Sequence, residues 1–215
     1  MDLNNLKHTF LQIVLVLSVI TFSIAITILF VPLFEGHLTY FNVPEKVGIA
    51  HETIMDNYYV LLEYLHFPWV DKLVMPDFPT SASGAFHFYE VKVLFYINYI
   101  VLFITLPISI NYLFNLKKNN QLYRLKIPSF FAAWVPVGLL VFLAFSFEDM
   151  FVLFHKLLFD NDAWLFNPAT DPIINVLTQE FFMLCFILAF VLIEALFVTG
   201  YLIGKNDLKK KRSNQ

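Results

Sequence analysis

The chain has 215 residues, of which 59% are hydrophobic and only 14% are charged, and its formal net charge is −3. A soluble domain of this length could not bury so much apolar surface, and so small a charge argues against a nucleic-acid partner. The composition therefore predicts a single domain, residues 1–215, embedded in lipid.

Four apolar runs are each long enough to cross a bilayer, since a hydrocarbon core of about 30 Å needs about 20 helical residues. In chain order they cover about 10–34, 93–116, 127–147 and 181–204. The first is too long for a signal-peptide core and has no cleavage site, so we expect it to remain as an anchor. The fourth holds the one charged residue of the runs, Glu194, for which we expect a structural role with hydrogen bonds from polar residues of other spans.

The distribution of basic residues predicts the orientation. Ten of the 14 lysines and arginines precede the first run, follow the fourth, or lie between the second and third. The positive-inside rule then places both termini and the 117–126 loop in the cytoplasm. Segments 35–92 and 148–180 become a small extracytoplasmic cap of amphipathic or interfacial helices. The predicted fold class is an all-α, multi-pass integral membrane protein with four transmembrane helices.

Two stretches of this cap show apolar residues at helical spacing. One runs from Ile54 to Leu65 and stops before Pro68. We expect that helix to lie either on the membrane or on the tops of the spans. The other runs from Phe147 to Leu158, and turn-forming residues follow it.

Two of the six histidines, His87 and His155, stand close to different spans. His87 lies six residues before the second span and His155 eight after the third, so both should lie near the outer interface. Imidazole titrates near neutral pH, and two imidazoles at one depth can form a general acid/base pair. The alternative is a pair of interfacial histidines that merely extend to water.

The neighbours of these histidines leave three functions open. Glu90 follows His87 at i+3 and can orient its ring, and Asp162 can return towards His155 through a turn. The chain has no H-E-x-x-H motif and a single cysteine, so a metal site is only weakly indicated. The residues alone are compatible with an interfacial acid/base enzyme, a metal-dependent membrane hydrolase, or a non-catalytic membrane protein that binds lipid or peptide.

The stretch 146–168, SFEDMFVLFHKLLFDNDAWLFNP, closely resembles the signature of the lipoprotein intramolecular transacylase (Lit) family of Gram-positive bacteria. The pattern F-H-x-x-x-F-x-N-D-x-W-L-x-x-P is matched by Phe154, His155, Phe159, Asn161, Asp162, Trp164, Leu165 and Pro168. A second element, a histidine followed by an acid, Val and a basic residue, is matched by His87, Glu90, Val91 and Lys92. In this element the family more often has Met and Asp where this chain has Phe88 and Glu90.

The resemblance implies a membrane acyltransferase of the bacterial cell membrane, active at the outer interface. It would move the sn-2 acyl chain of a diacylglyceryl-modified lipoprotein to the α-amino group of the N-terminal cysteine, which leaves a lyso-form lipoprotein. It implies that His87 and His155 carry the transfer with no cofactor or metal, and that the partners are the lipoprotein and membrane lipids. We expect supporting or substrate-binding roles for Glu90, Phe154, Asn161, Asp162 and Trp164; Asn161, Trp164 or a backbone N–H could bind the oxyanion.

Overall fold

The computed structural model describes residues 3–213, and all of the regular secondary structure in that range is helical. The α-helices in chain order are α1 (Leu3–Leu29), α2 (Val31–Tyr40), α3 (Val43–Val47), α4 (His51–His66), α5 (Ala82–Lys118), α6 (Lys126–Phe145), α7 (Phe147–Leu158) and α8 (Gln179–Ser213). Two 3₁₀ turns, Leu122–Leu125 and Pro172–Asn175, lie in the connections. The predicted all-α fold class is confirmed.

Four helical segments are long and apolar enough to cross a membrane: Leu3–Leu29, Ala82–Lys118, Leu122–Phe145 and Gln179–Ser213. Each exceeds the roughly 20 residues that a bilayer core requires. Their number and order agree with the four predicted spans. That residues 1–215 act as one membrane domain stays a prediction.

The chain divides into two compact units. Unit 1 consists of Met1–Thr27, Asn98–Phe145 and Ile187–Gln215, and unit 2 consists of Ile28–Ile97 and Ser146–Phe186. Both histidines that the sequence singled out belong to unit 2, and Glu194 belongs to unit 1.

The first predicted span, 10–34, does not continue as one helix. α1 ends at Leu29, and α2 begins at Val31 with Pro32 in its first turn. Proline lacks the N–H that would continue α1, and its ring would collide with the carbonyl four residues earlier. Phe34, the last residue of the predicted span, is instead completely buried in the core of unit 2.

The third predicted span, 127–147, also ends early. α6 stops at Phe145, and α7 begins at Phe147 after a non-helical Ser146 with φ −156° and ψ 86°. The Ser146 hydroxyl donates to the Asp149 carboxylate in the first turn of α7. The Ser146 side chain makes no capping bond to the backbone N–H groups of α7, but acidic residues in the first turn favour helix initiation, so the apolar stripe after 146 forms a separate helix.

The apolar stripe predicted between Ile54 and Leu65 lies on α4 and is buried in the core of unit 2. The Tyr58 ring stacks on Phe34 with 3.9 Å between ring centroids, and Phe181 meets Phe34 edge-on at 5.0 Å. The stripe therefore packs against protein and not against lipid.

The start of α5 is held by a buried carboxylate. Asp171, only 2% exposed, accepts a 2.7 Å hydrogen bond from the Ser81 N–H with its Oδ1, and its Oδ2 accepts one from the Thr170 hydroxyl at 2.7 Å. The close approach needs a glycine in the first turn of α5, because a Cβ at Gly84 would collide with Asp171 Oδ1. Residues near 171 are thereby fixed to the helix that carries His87.

Within unit 1, α8 approaches the start of α6 at two glycines spaced by four residues. A Cβ at Gly200 would lie 2.7 Å from the Ser129 hydroxyl oxygen, and one at Gly204 would lie 2.5 Å from the Lys126 backbone nitrogen. Small residues at this spacing allow membrane helices to pack closely.

Glu194 lies on α8 beside a cavity of about 210 Å³ that Phe130 and Trp134 also line. Its Oε2 has no hydrogen-bond partner among residues 3–213. The polar partners that we expected from other spans are therefore not found for this oxygen.

Candidate active site

His87 and His155 lie side by side in unit 2. His87 is in the second turn of α5 and His155 in the last turn of α7. Their ring centroids are 5.8 Å apart, the ring planes are inclined by 38°, and each residue is 8% exposed. Two imidazoles at this separation can both reach one small reacting group.

His155 is held by its own helix and by an aromatic box. Its Nδ1 lies 2.7 Å from the Phe151 carbonyl oxygen, so Nδ1 carries the proton and donates it. That tautomer leaves the lone pair on Nε2. The Trp164 ring stacks on the imidazole at 4.7 Å and 28°, and the Phe151 ring lies at 4.2 Å. Burial lowers the pKa of His155, and the hydrogen bond to the Phe151 carbonyl offsets part of that shift.

His87 lies between two aromatic edges and one carboxylate. The rings of Phe159 and Phe166 meet it edge-on at 4.8 and 5.5 Å between centroids. Its Nδ1 is 4.0 Å from Glu90 Oε2, which is too long for a hydrogen bond but short enough for electrostatic stabilisation of a protonated ring. No hydrogen-bond partner for Nδ1 lies among residues 3–213.

Asn161 is the centre of a small network after α7. Its side-chain amide donates to Glu90 Oε1 at 2.8 Å, and its side-chain carbonyl accepts the Ala163 N–H at 2.9 Å. Its backbone carbonyl accepts the Trp164 indole N–H at 3.1 Å. In this structure the single N–H of the Trp164 indole is engaged by that carbonyl, whereas the Asn161 amide keeps a second N–H. The oxyanion roles predicted for Asn161, Trp164 or a backbone N–H stay predictions.

Phe154 and Asp162, which were also predicted to support the site, make fewer contacts with the two histidines than Asn161 and Trp164 do. The exposed Phe154 ring lies 5.5 Å from His155 and 5.1 Å from Phe186. The Asp162 backbone carbonyl accepts the Leu165 N–H at 3.1 Å and so helps to close the turn. In the part of the chain from 3 to 213, no three His, Cys, Asp or Glu side chains are grouped closely enough to hold a metal ion.

Three aromatic residues of the site had no assigned role at the sequence level: Phe151, Phe159 and Phe166. Phe159 stands in the matched motif and Phe151 in the apolar stripe, so both signals were present. Phe166 had none, since nothing in its local pattern distinguishes it from the many other phenylalanines of the chain.

The model of the lipoprotein intramolecular transacylase Lit family matches residues 9–182, a segment that contains both histidines and the Asn161 network. The chain belongs to the Lit family. The predicted enzyme class, an intramolecular transacylase, is thereby confirmed.

Solved structures of Lit from Bacillus cereus, described as a membrane-integral lipoprotein intramolecular transacylase determined in meso, are similar over nearly the whole chain. One has a TM-score of 0.90 and 30% identity, and the match covers 97% of each chain. Two variants with a histidine replaced by arginine or alanine have TM-scores of 0.80 and 0.81 and identities of 29% and 30%. These matches cover 99% and 97% of this chain and 96% and 95% of the other. The multi-pass, membrane-integral architecture is therefore confirmed. No curated protein matches the chain significantly.

Proposed function

We propose that the chain transfers the sn-2 acyl chain of a diacylglyceryl-modified lipoprotein to the α-amino group of its N-terminal cysteine, with His87 and His155 as the proton carriers. The observation that carries the proposal is the 5.8 Å separation of the two imidazole rings, which come from different segments of the chain. Family membership supplies the reaction class, and the imidazole pair supplies the acid/base groups that such a transfer needs.

The reaction needs one proton removed and one returned. The amine attacks the ester carbonyl carbon, and the new C–N bond becomes an amide when the nitrogen has lost its proton. The C–O bond to glycerol then breaks, and the sn-2 alkoxide takes up a proton to give the hydroxyl of the lyso-form. Atoms and electrons balance within the substrate, so the enzyme must only relay protons and stabilise the tetrahedral oxyanion.

We assign the base role to His155. Its Nδ1–H is engaged by the Phe151 carbonyl, so Nε2 presents the lone pair. After the ammonium proton of the substrate has left to solvent, the neutral imidazole takes the second proton, which the nitrogen loses as the amide forms. The first loss, from an α-amine with a pKa of about 7.7–8 to an ordinary imidazole, costs about 1.5–2 kcal/mol, and burial of His155 raises that cost. This cost is small beside the barriers that enzymes lower.

We assign the acid role to His87. Glu90 is the carboxylate beside the pair, and its Oε2 faces His87 Nδ1 at 4.0 Å. A positive charge that His87 carries before it protonates the alkoxide is therefore stabilised, while Nε2 is the atom that would donate the proton. The second N–H of the Asn161 amide, which is not used by Glu90, is a side-chain candidate to bind the oxyanion.

The aromatic surroundings suit a floppy lipid substrate. Attack closes a medium-sized ring through the cysteine and glycerol atoms, and the entropic cost of that closure falls when the chain is confined. Rigid rings such as those of Trp164, Phe159 and Phe166 provide confinement with little entropy loss of their own.

Mass spectrometry of a synthetic diacylglyceryl lipopeptide with a free N-terminus, incubated with the purified protein, tests the proposal. We expect a product of unchanged mass whose fragments place an acyl chain on the amine, formed equally well with a metal chelator present. Release of free fatty acid, or loss of activity with the chelator, would instead support a metal-dependent hydrolase. An unreacted lipopeptide that nevertheless binds would support a non-catalytic role.

We also propose that the site faces the outside of the bacterial cell membrane, with both termini in the cytoplasm. The support is the placement of ten of 14 basic residues on one side of the four spans. Topology reporters inserted near residues 60 and 165 should both report an extracytoplasmic location, and a cytoplasmic signal at either position would reverse the assignment.

A further inference from the structure

Unit 1 concentrates positive charge that the proposed chemistry does not use. Among the residues of this unit that the structure describes, the acidic ones are Glu194 and Asp207. Its basic residues number ten and occupy helix ends: Lys7, Lys117, Lys118, Arg124, Lys126, Lys205, Lys209, Lys210, Lys211 and Arg212. Such an excess of positive charge attracts anions to that end of the unit.

Contacts bring several of these helix ends together. The Lys211 ammonium lies 4.3 Å above the Tyr123 ring, and the Tyr123 N–H donates to the Asp207 carboxylate at 2.9 Å. The Gln12 side chain of α1 donates to the Arg124 carbonyl at 3.3 Å. The start of α1, the turn before α6 and the end of α8 therefore form one basic surface.

Two nitrogen atoms of residues at this surface are buried and have no hydrogen-bond partner in the described part of the chain. Neither Arg124 Nε nor His8 Nδ1 has a hydrogen-bond partner within residues 3–213. His8 packs against Tyr112, with 5.9 Å between ring centroids, one helical turn before Gln12. Arg124 as a whole is only partly buried, so its guanidinium adds positive charge at the edge of this surface, where an anion from outside the chain is attracted.

A groove of about 300 Å³ lies close by, and its lining includes Gln12, the residue that donates to the Arg124 carbonyl. Its lining comes from α1 and α6: Thr9, Gln12, Ile13, Val16, Leu17 and Pro128. The lining is polar at Thr9 and Gln12 and apolar from Ile13 onwards, and both Ile13 and Leu17 are exposed. One end of the groove is therefore polar and next to positive charge, and the rest is apolar and runs along a spanning helix. A phospholipid has the same arrangement, with a charged headgroup at one end and apolar acyl chains along the rest.

We propose that this groove binds an anionic phospholipid, with the phosphate at the end formed by Thr9 and Gln12, beside Arg124, and one acyl chain along Ile13 and Leu17. The planar fork of an arginine matches phosphate oxygens, and the surrounding positive charge favours a lipid with net negative charge over a zwitterionic one. The positive-inside pattern predicts that this lipid comes from the cytoplasmic leaflet. The site uses residues of unit 1 alone and does not depend on the transacylation proposed above.

Lipid binding to the full chain in detergent, followed by native mass spectrometry, tests the proposal. We expect phosphatidylglycerol to bind about tenfold more tightly than phosphatidylcholine with the same acyl chains, and Arg124→Gln to remove about that preference. Leu17→Trp fills the apolar channel, so it should weaken binding of both lipids while the headgroup preference remains. Lys72→Gln makes the same change of charge in unit 2 and should leave lipid binding unchanged.

Three outcomes would overturn the proposal. The first is equal binding of the two lipids, and the second is unchanged lipid binding by Arg124→Gln. The third is binding of inorganic phosphate alone that competes with the lipid and is not affected by Leu17→Trp. The last would assign the basic surface to free phosphate. Because Leu17→Trp keeps every charge and Arg124→Gln keeps the groove, failure of one variant to fold leaves the other to decide.

Discussion

The side-chain amide of Asn161 donates a 2.8 Å hydrogen bond to Glu90, across 71 positions of sequence. The bond occupies Glu90 Oε1 and leaves Oε2 directed at His87, 4.0 Å away. It also ties the turn that follows α7 to the helix that carries His87. Asn161 thus orients a carboxylate beside one imidazole, while its backbone carbonyl holds the Trp164 ring that covers the other.

The contribution of the Glu90 charge to catalysis can be tested apart from the contribution of its shape. Glu90→Gln retains an acceptor for Asn161 but cannot stabilise a protonated His87, so we expect kcat to fall about tenfold, the equivalent of one unit of pKa, with little change in KM. Asn161→Leu should act in the same direction, and the double variant should lose little beyond the worse single one. Glu63→Gln, at an exposed position of α4, is the control. Full kcat in Glu90→Gln would show that the carboxylate has no part in the proton transfer.

The two imidazoles should behave as one catalytic unit. We expect His87→Ala and His155→Ala each to lower activity by about 10²–10⁴-fold, and the double variant to be little worse. Asparagine at either position can mimic one hydrogen bond but cannot carry a proton, so it should be nearly as damaging as alanine. His51→Asn, elsewhere in unit 2, should keep activity. Rapid lipopeptide conversion by either asparagine variant would reduce that histidine to a positioning role.

The pH dependence of kcat should report the aromatic box around His155. Burial lowers the pKa of His155, so the neutral base persists below the ordinary value of about 6.5. Of the two acid limbs expected in the kcat profile, the upper belongs to the substrate amine, and the lower, which belongs to His155, should lie below about 6.5. Trp164→Leu admits water and should move the limb up towards about 6.5, whereas Trp164→Phe should keep it low. If Trp164→Leu left this acid limb at the same pH, the Trp164 ring would not be what keeps water from His155.

The lowered pKa of His155 also predicts that the stability of the protein depends on pH. The unfolded chain binds a proton at His155 more readily than the folded protein, so this contribution to the free energy of unfolding declines as pH falls below about 6.5. In His155→Gln that part of the pH dependence should be missing from thermal melts.

The sequence predicted most of the features that depend on local pattern and missed those that a long-range contact decides. Hydropathy gave the four spans, and apolar spacing gave α4 and α7. Pro32 was visible in the sequence, yet the interruption at residue 30 was missed because an uncharged run was read as one helix. The distances of His87 and His155 to the spans predicted only that both lie near the outer interface, which stays a prediction, and the 5.8 Å separation of their rings was not specified by those distances. The bond from Asn161 to Glu90 did not, since nothing local specifies a pairing between a turn and a helix face so distant in sequence.

The hydrogen bond from the Ser81 N–H at the start of α5 to the Asp171 carboxylate should contribute both to the stability of the protein and to the geometry of the two imidazoles. Gly84 lies three residues before His87, and a side chain there would displace the Asp171 carboxylate that accepts the Ser81 N–H. An unpaired buried donor costs about 1–3 kcal/mol, so Gly84→Ala and Asp171→Ala should both lower the melting temperature clearly. Asp171→Asn keeps an acceptor oxygen and should lose less.

A matched glycine distinguishes this effect from a general response to alanine. Apart from its chain neighbours and the backbone of its own helix, nothing lies within 4 Å of a Cβ built at Gly36 on α2. Gly36→Ala should therefore leave stability unchanged or raise it slightly, because alanine favours helix. If Gly84→Ala moves the N-terminus of α5, the His87 ring shifts relative to His155, and kcat should fall more than KM rises. Normal melting and normal kcat in Gly84→Ala would mean that Asp171 relaxes freely. The carboxylate would then be a local cap of α5 that plays no part in fixing the distance between the two imidazoles.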